Sequence, residues 1–173
     1  MTSRLSPPAA LAVAFALACP ATAAAQACTD VTFDPPISGV LDFGRLYVAS
    51  GLSGTATLNP ATGLVTTTGR LASGQAGQAL TVNITDASPD CEFILSITPL
   101  SQDLATNFTV VADRISVQQG TLLNADPAQR AWLVQMSNGV AQIRIGGVLE
   151  MNTSSESLID TYVETFTVAV DPS

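Results

Sequence analysis

The side chains that most often carry out chemistry in proteins are largely missing from this sequence. It contains no histidine and no lysine, which excludes Ser-His-Asp and Cys-His nucleophiles, histidine-containing zinc sites and lysine Schiff bases. It also lacks a C-x-x-C pair and a glycine-rich loop that leads from a strand into a helix. Carboxylate pairs, as in glycosidases, are the only catalytic arrangement left, and sequence spacing does not identify one. We predict no catalytic, cofactor-binding or metal-binding residue and a protein that is not an enzyme.

The densest group of acidic residues runs from Asp86 to Glu92 and reads DASPDCE. Carboxylate oxygens in a flexible loop are ligands that Ca²⁺ prefers, so this stretch is a candidate calcium site. It lacks the repeated D-x-D-x spacing of a dedicated calcium loop, and Asp and Pro are typical turn residues. We therefore favour a polar turn between two strands.

The first 27 residues have the layout of a secretory signal peptide. Arg4 precedes an apolar run over residues 9–18, and Ala25-Gln26-Ala27 forms an A-x-A cleavage site. The run is too short to cross a bilayer, and no later segment is long enough either. The sequence predicts a leader over 1–27, a single mature domain over 28–173, no membrane span, and export to the bacterial periplasm, the cell surface or the medium.

Cleavage at that site would remove Cys19 and leave two cysteines, Cys28 and Cys91. An oxidising compartment permits one intramolecular bridge between them, which we predict. The alternative is that Cys28, as the first mature residue, carries a lipid. Bacterial lipoprotein signals normally have leucine three positions before the cysteine, where this chain has Ala25, so we favour the disulfide.

The acidic balance of the chain limits its partners. The formal net charge is −8, with 14 acidic residues against six basic ones. Such a surface repels phosphate backbones and anionic lipid headgroups, and we exclude nucleic acid as a partner. The acidic residues keep a protein with 47% hydrophobic residues soluble.

Short runs rich in Val, Thr, Ile and Phe, separated by Gly, Asn-Pro and Asp-Pro, predict an all-β sandwich or barrel. The Asp126–Ser137 stretch allows at most one helical turn. The predicted strands are Leu41–Val48, Gly54–Leu58, Leu64–Thr68, Ala79–Asp86, Glu92–Thr98, Phe108–Ala112, Ile115–Gln118, Arg130–Met136, Ala141–Leu149 and Tyr162–Val170.

The last predicted strand shows which of its faces is buried. Alternate positions on one face are apolar, so we expect them in the core. Glu164 shares this face and is expected near the solvated end of the strand or at a bulge. The predicted core positions of this strand are Tyr162, Phe166, Val168 and Val170.

Two pairs of segments resemble a bacterial secreted family, domain of unknown function 4402. Leu41–Gly44 provides its L-x-F-G segment, and Gly54–Gly63 its Gly-Thr-rich strand with a proline–glycine hairpin. Ile145–Leu149 and Tyr162–Val170 resemble its closing G-G-x-L segment and its terminal Y-x-x-T-F-T-V-x-V strand. That terminal strand is also similar to subunits of chaperone–usher pili and to spore-coat-U-like pilins.

The resemblance implies an immunoglobulin-like, pilin-related antiparallel β-sandwich and a pilus- or fimbria-like role on the cell surface. The implied partners are the protein itself or other fibre subunits, joined by strand addition, and a periplasmic chaperone. Val31 and Phe33 are the candidate donor side chains, because they alternate before Pro35-Pro36 ends the pattern. The open alternative is a soluble extracellular carbohydrate- or ligand-binding module.

Overall fold

The described part of the chain consists of β-strands and their connections, which confirms the all-β prediction. The computed structural model describes residues 26–34, 38–49, 53–99, 108–151 and 158–173. The strands are β1 (Thr32–Asp34), β2 (Ser38–Val48), β3 (Gly54–Leu58), β4 (Val65–Gly69), β5 (Leu71–Ser73), β6 (Leu80–Thr85), β7 (Glu92–Pro99), β8 (Phe108–Gln119), β9 (Thr121–Asp126), β10 (Ala131–Gln135), β11 (Val140–Met151) and β12 (Leu158–Pro172).

These strands form two antiparallel sheets that pack face to face as a β-sandwich. Sheet I has the order β5-β2-β12-β7-β10-β9. In sheet II, β8 lies along one edge of the long strand β11, while β6 and β3 lie end to end along the other edge. β1 and β4 then pair with β6 and β3 on the outside of that sheet.

Alternation of apolar and polar residues sets which face of each strand is buried. Leu80, Val82 and Ile84 of β6 alternate with polar residues in the sequence, and all three are buried. They belong to one core cluster with side chains of sheet I such as Phe93 and Leu95, which have no exposed surface. Burial of these alternating residues is the main force that holds the two sheets together.

β8 replaces two separately predicted strands, Phe108–Ala112 and Ile115–Gln118. Its pairing with β11 is interrupted by a register shift, because Val111 pairs with Val148 whereas Arg114 pairs with Gly146. The extra residue of this bulge changes which alternate positions face the core. The strand therefore runs continuously past Asp113, where the sequence indicated a break.

Two turns follow local sequence signals. In the predicted hairpin loop, the Asn59 side chain accepts a hydrogen bond from the Ala61 amide at 2.9 Å, and Gly63 has a positive φ of 71°. Between β9 and β10, the Asp126 carboxylate accepts one from the Gln129 amide at 3.1 Å. The residues after Asp126 form only a turn, in agreement with the limit of one helical turn.

Candidate functional site

The N-terminal segment is the first candidate site, because the sequence assigns it both the disulfide and the donor residues. Cys28 and Cys91 are joined as predicted, with 4.9 Å between their Cα atoms, and both are 1% exposed. Backbone hydrogen bonds accompany the bridge: Cys28 donates to the Glu92 carbonyl at 3.0 Å, and Glu92 donates to the Gln26 carbonyl at 2.8 Å. The segment therefore begins alongside β7 in sheet I.

The Asp86 carboxylate holds the next part of the segment. One of its oxygens accepts a hydrogen bond from the Asp30 amide at 2.8 Å, and the other accepts from the Ser88 amide at 2.7 Å. The pKa of Asp86 lies below its ordinary value, chiefly because the Ser88 amide stabilises the charged form. The carboxylate thus connects the turn after β6 to the N-terminal segment.

This turn lies in the candidate calcium site, the stretch from Asp86 to Glu92. Ligand atoms of Cys28, Asp86 and Cys91 lie within 4.8 Å of one another. The two sulfur atoms are bonded to each other, however, and the Asp86 oxygens accept backbone hydrogen bonds. The geometry fits a turn that anchors a neighbouring segment.

Beyond Asp30 the segment crosses to sheet II and pairs with its own chain. Phe33 pairs with Ile84 in β6 through the backbone, and the Thr32 and Thr85 hydroxyls are hydrogen-bonded to each other. The Val31 side chain is half-buried against the core, whereas the Phe33 side chain lies outside the described part of the structure. The predicted donor segment therefore closes one side of its own sandwich.

The last strand lies between two neighbours. β12 pairs with β2 along one edge and with β7 along the other. Phe166 and Val168 are buried, and Val170 is partly buried against the core. The side chains of Tyr162 and Glu164 lie outside the described part. A donor strand would thus have to enter at another edge of the sandwich.

Two aromatic rings that could stack on a sugar, Trp132 and Tyr47, do not share a surface. Trp132 is buried in the core, whereas Tyr47 is 39% exposed on β2. The guanidinium carbon of Arg45 lies 5.8 Å from the centroid of the Tyr47 ring, within the range of a cation–π contact. With Trp132 in the core, these two rings cannot form a stacking platform for a sugar.

Sequence reasoning missed a polar hollow at one end of sheet II. It has a volume of about 350 Å³ and lies where β3, β4 and β11 meet. The Thr55 and Thr68 hydroxyls, hydrogen-bonded at 2.6 Å, line it together with Glu150. Pairing of Thr55 with both Thr68 and Glu150 produces this group, and no local sequence motif specifies that pairing.

The open strand edges form a second candidate site, and they differ in how well they resist further pairing. β8 carries two register shifts and an ion pair, with 2.7 Å between Arg114 Nε and Asp113 Oδ1. β1 and β5 are only three residues long. Bulges, charges and short length are what natural proteins use to prevent edge pairing. These three edges are accordingly protected.

β9 at the end of sheet I is the edge that exposes large apolar side chains. All six of its residues are exposed, and Leu122 and Leu123 are 42% and 44% exposed. Its single charged side chain is Asp126, at the last position. Sequence reasoning missed this strand, because the adjacent Leu122 and Leu123 interrupt its alternation of polar and apolar residues. The alternation over residues 123–126 was the only signal for it.

Comparison with protein-family models, with curated proteins and with solved structures found no match. Within the described ranges, no helix is long and apolar enough to span a membrane.

Replacing Asp86 by asparagine is expected to loosen the N-terminal segment in a pH-dependent way. A carboxyl group whose pKa is lowered in the folded state stabilises that state above its unfolded pKa. This contribution is lost as the pH falls through the lowered value. The melting temperature should therefore be lower for Asp86→Asn near neutral pH, and the difference should vanish in strong acid. A difference that stays constant from pH 7 to strong acid would contradict the role of the charge.

Proposed function

We propose that this protein is a non-catalytic structural protein of the bacterial cell surface, a pilus- or fimbria-like subunit that assembles by β-strand addition. The observation that carries the proposal is the antiparallel sandwich with open strand edges. Backbone amides and carbonyls at such edges pair readily with a strand of another subunit. The predicted leader and the Cys28–Cys91 disulfide support a location outside the cytoplasm. A periplasmic chaperone is the expected transient partner there.

Assembly by exchange of Thr29–Asp34 has a geometric requirement. The disulfide at Cys28 holds one end of this segment, and β2 begins at Ser38 on the other side. The segment is therefore a loop tethered at both ends rather than a free arm. Exchange between subunits requires that the Cys28–Cys91 bond form between two chains or be reduced.

Light scattering on the exported protein tests this function. We expect multimers whose size grows with concentration, and we expect deletion of Thr29–Asp34 to abolish this growth while the chain stays folded by circular dichroism. The deletion retains Cys28, so both cysteines of the disulfide remain. Non-reducing gels provide a second readout, because exchange with an interchain disulfide produces covalent multimers. A strictly monomeric, thermally stable protein at about 1 mM would contradict the proposal.

The ligand-binding module is the second candidate, and the polar hollow is the observation that favours it. The hollow is largely open to solvent, so it would hold a ligand at the surface through polar side chains. Two threonine hydroxyls and the Glu150 carboxylate would suit a small ligand with several hydroxyl groups. A monomer in the light-scattering experiment would make this the leading function.

A further inference from the structure

We propose that β9 is a self-complementary edge through which two copies of this protein pair about a two-fold axis. The inference rests on the proposed structural role, and it names a lateral contact that is separate from exchange of the N-terminal segment. An isologous contact closes after two copies, so it yields dimers and does not by itself produce fibres.

The first argument is the exposed apolar surface at the edge of sheet I. Within the described part of the chain, β9 pairs with β10 on one side and forms the end of sheet I on the other. Leu122 and Leu123 are more than two-fifths exposed there. An exposed edge with adjacent apolar side chains is a template for pairing with another chain.

The second argument comes from the directions in which the residues of β9 point. Its inner-facing positions are Leu122 and Ala125, whose partners in β10 are both buried. The outer-facing positions, paired with the half-exposed residues of β10, are Thr121, Asn124 and Asp126. Leu123 is the extra residue at a register shift, where Leu122 pairs with Val134 but Asn124 pairs with Leu133.

These directions favour the register that pairs all six residues of β9. Opposite residues of antiparallel strands must point to the same face of the sheet. When Leu122 of one copy lies opposite Ala125 of the other, both face inward. In that register Thr121 lies opposite Asp126, and both face outward. The two-fold axis then passes between the two bulges, and Leu123 of each copy lies opposite Asn124 of the other. Every residue of one β9 strand therefore has one partner in the other.

Charge is compatible with the same register. The chain is strongly acidic, and a contact between copies must avoid facing carboxylates. Here each Asp126 lies opposite the Thr121 hydroxyl of the other copy, a hydrogen-bond donor, and the two aspartates are at opposite ends of the paired strands. The contact is limited to six residues per chain, which places it among small, concentration-dependent interfaces.

Register-specific cross-linking tests the pairing. One variant carries Leu122→Cys and a second carries Ala125→Cys, both in the exported protein with Cys19→Ser so that the new thiol is the only unpaired one. Opposite residues lie about 4.5–5.5 Å apart, within disulfide range, whereas two copies of residue 122 are about 10 Å apart along the strands. We expect cross-linked dimers when the two variants are mixed and oxidised, and little cross-linking of either variant alone.

Two controls determine how the outcome is interpreted. Leu64→Cys, mixed with Ala125→Cys, places an equally accessible thiol at a residue that is 59% exposed in the β3–β4 hairpin, and it should not cross-link. Adding Leu123→Lys to both partners should lower the cross-linked yield about tenfold, since the two lysines would be diagonal neighbours of like charge across the axis, each opposite Asn124.

Failure of this inference can be separated from failure of the proposed function. Multimers in light scattering without mixed cross-links, or cross-links that form equally with Leu64→Cys, would overturn the β9 pairing and leave strand addition at another edge. A protein that is monomeric in light scattering and does not cross-link would overturn both. Mixed cross-links that depend on Leu123 support the β9 pairing.

Discussion

Replacing Phe166 by alanine is expected to lower the free energy of unfolding by about 3–5 kcal/mol. The ring has no exposed surface, and it lies on β12 between β2 and β7. Removal of the ring leaves a cavity between the two sheets. The lost packing contacts account for the lower free energy of unfolding. Chemical denaturation followed by circular dichroism measures it.

A neighbouring position on the same strand provides the matched control. Thr167 is half-exposed on the opposite face of β12, so Thr167→Ala should cost less than about 1 kcal/mol. If Phe166→Ala cost no more than this control, the buried face assigned to β12 would be wrong.

Removal of the disulfide is expected to have a comparable effect. Cys28 and Cys91 close a loop with a sequence separation of 63, and the cross-link restricts the unfolded chain by about 4 kcal/mol on the chain-entropy model. The double substitution Cys28→Ser/Cys91→Ser should therefore lower the free energy of unfolding by about that amount, measured by denaturation without reductant. Replacing both cysteines avoids leaving a free thiol.

Reductant provides the control for this experiment. It should destabilise the natural protein to the level of the double variant and leave the double variant unchanged. A difference of less than about 1 kcal/mol would mean that the bridge does little to restrict the unfolded chain. A variant that also loses the protection of residues 26–34 from proteolysis would show that the bridge is the main anchor of this segment.

Strands with regular alternation were predictable from the sequence. β3 has the predicted bounds, Gly54–Leu58, and the apolar residues that alternate with polar ones along β6 are buried. The pattern suffices in these cases because one face of each strand meets the core and the other meets solvent. The disulfide was equally predictable from the sequence, since Cys28 and Cys91 are the only cysteines outside the predicted leader.

The missed elements owe their structure to partners distant in sequence. Asp113 and Arg114 indicate a break in alternation, which β8 absorbs as a bulge because β11 continues alongside it. Thr121–Asp126 has an alternation that Leu122 and Leu123 interrupt, and it is a strand because β10 supplies its hydrogen-bond partners. Pairing of the N-terminal segment with β6 of its own chain likewise depends on a long-range choice. Local residue patterns do not encode that choice.

The position of β12 determines when this protein can fold. The last strand of the chain occupies the interior of sheet I, where Val163 pairs with Asp42 and Val170 with Leu95. Until its C-terminal residues are available, β2 and β7 have no strand between them. Such sequence-distant pairing gives a high contact order, and proteins of this kind fold in milliseconds to seconds rather than microseconds. Sheet I therefore forms only after β12 has been synthesised, and a chain truncated before Leu158 would have two separate halves of sheet I instead of a shorter sandwich.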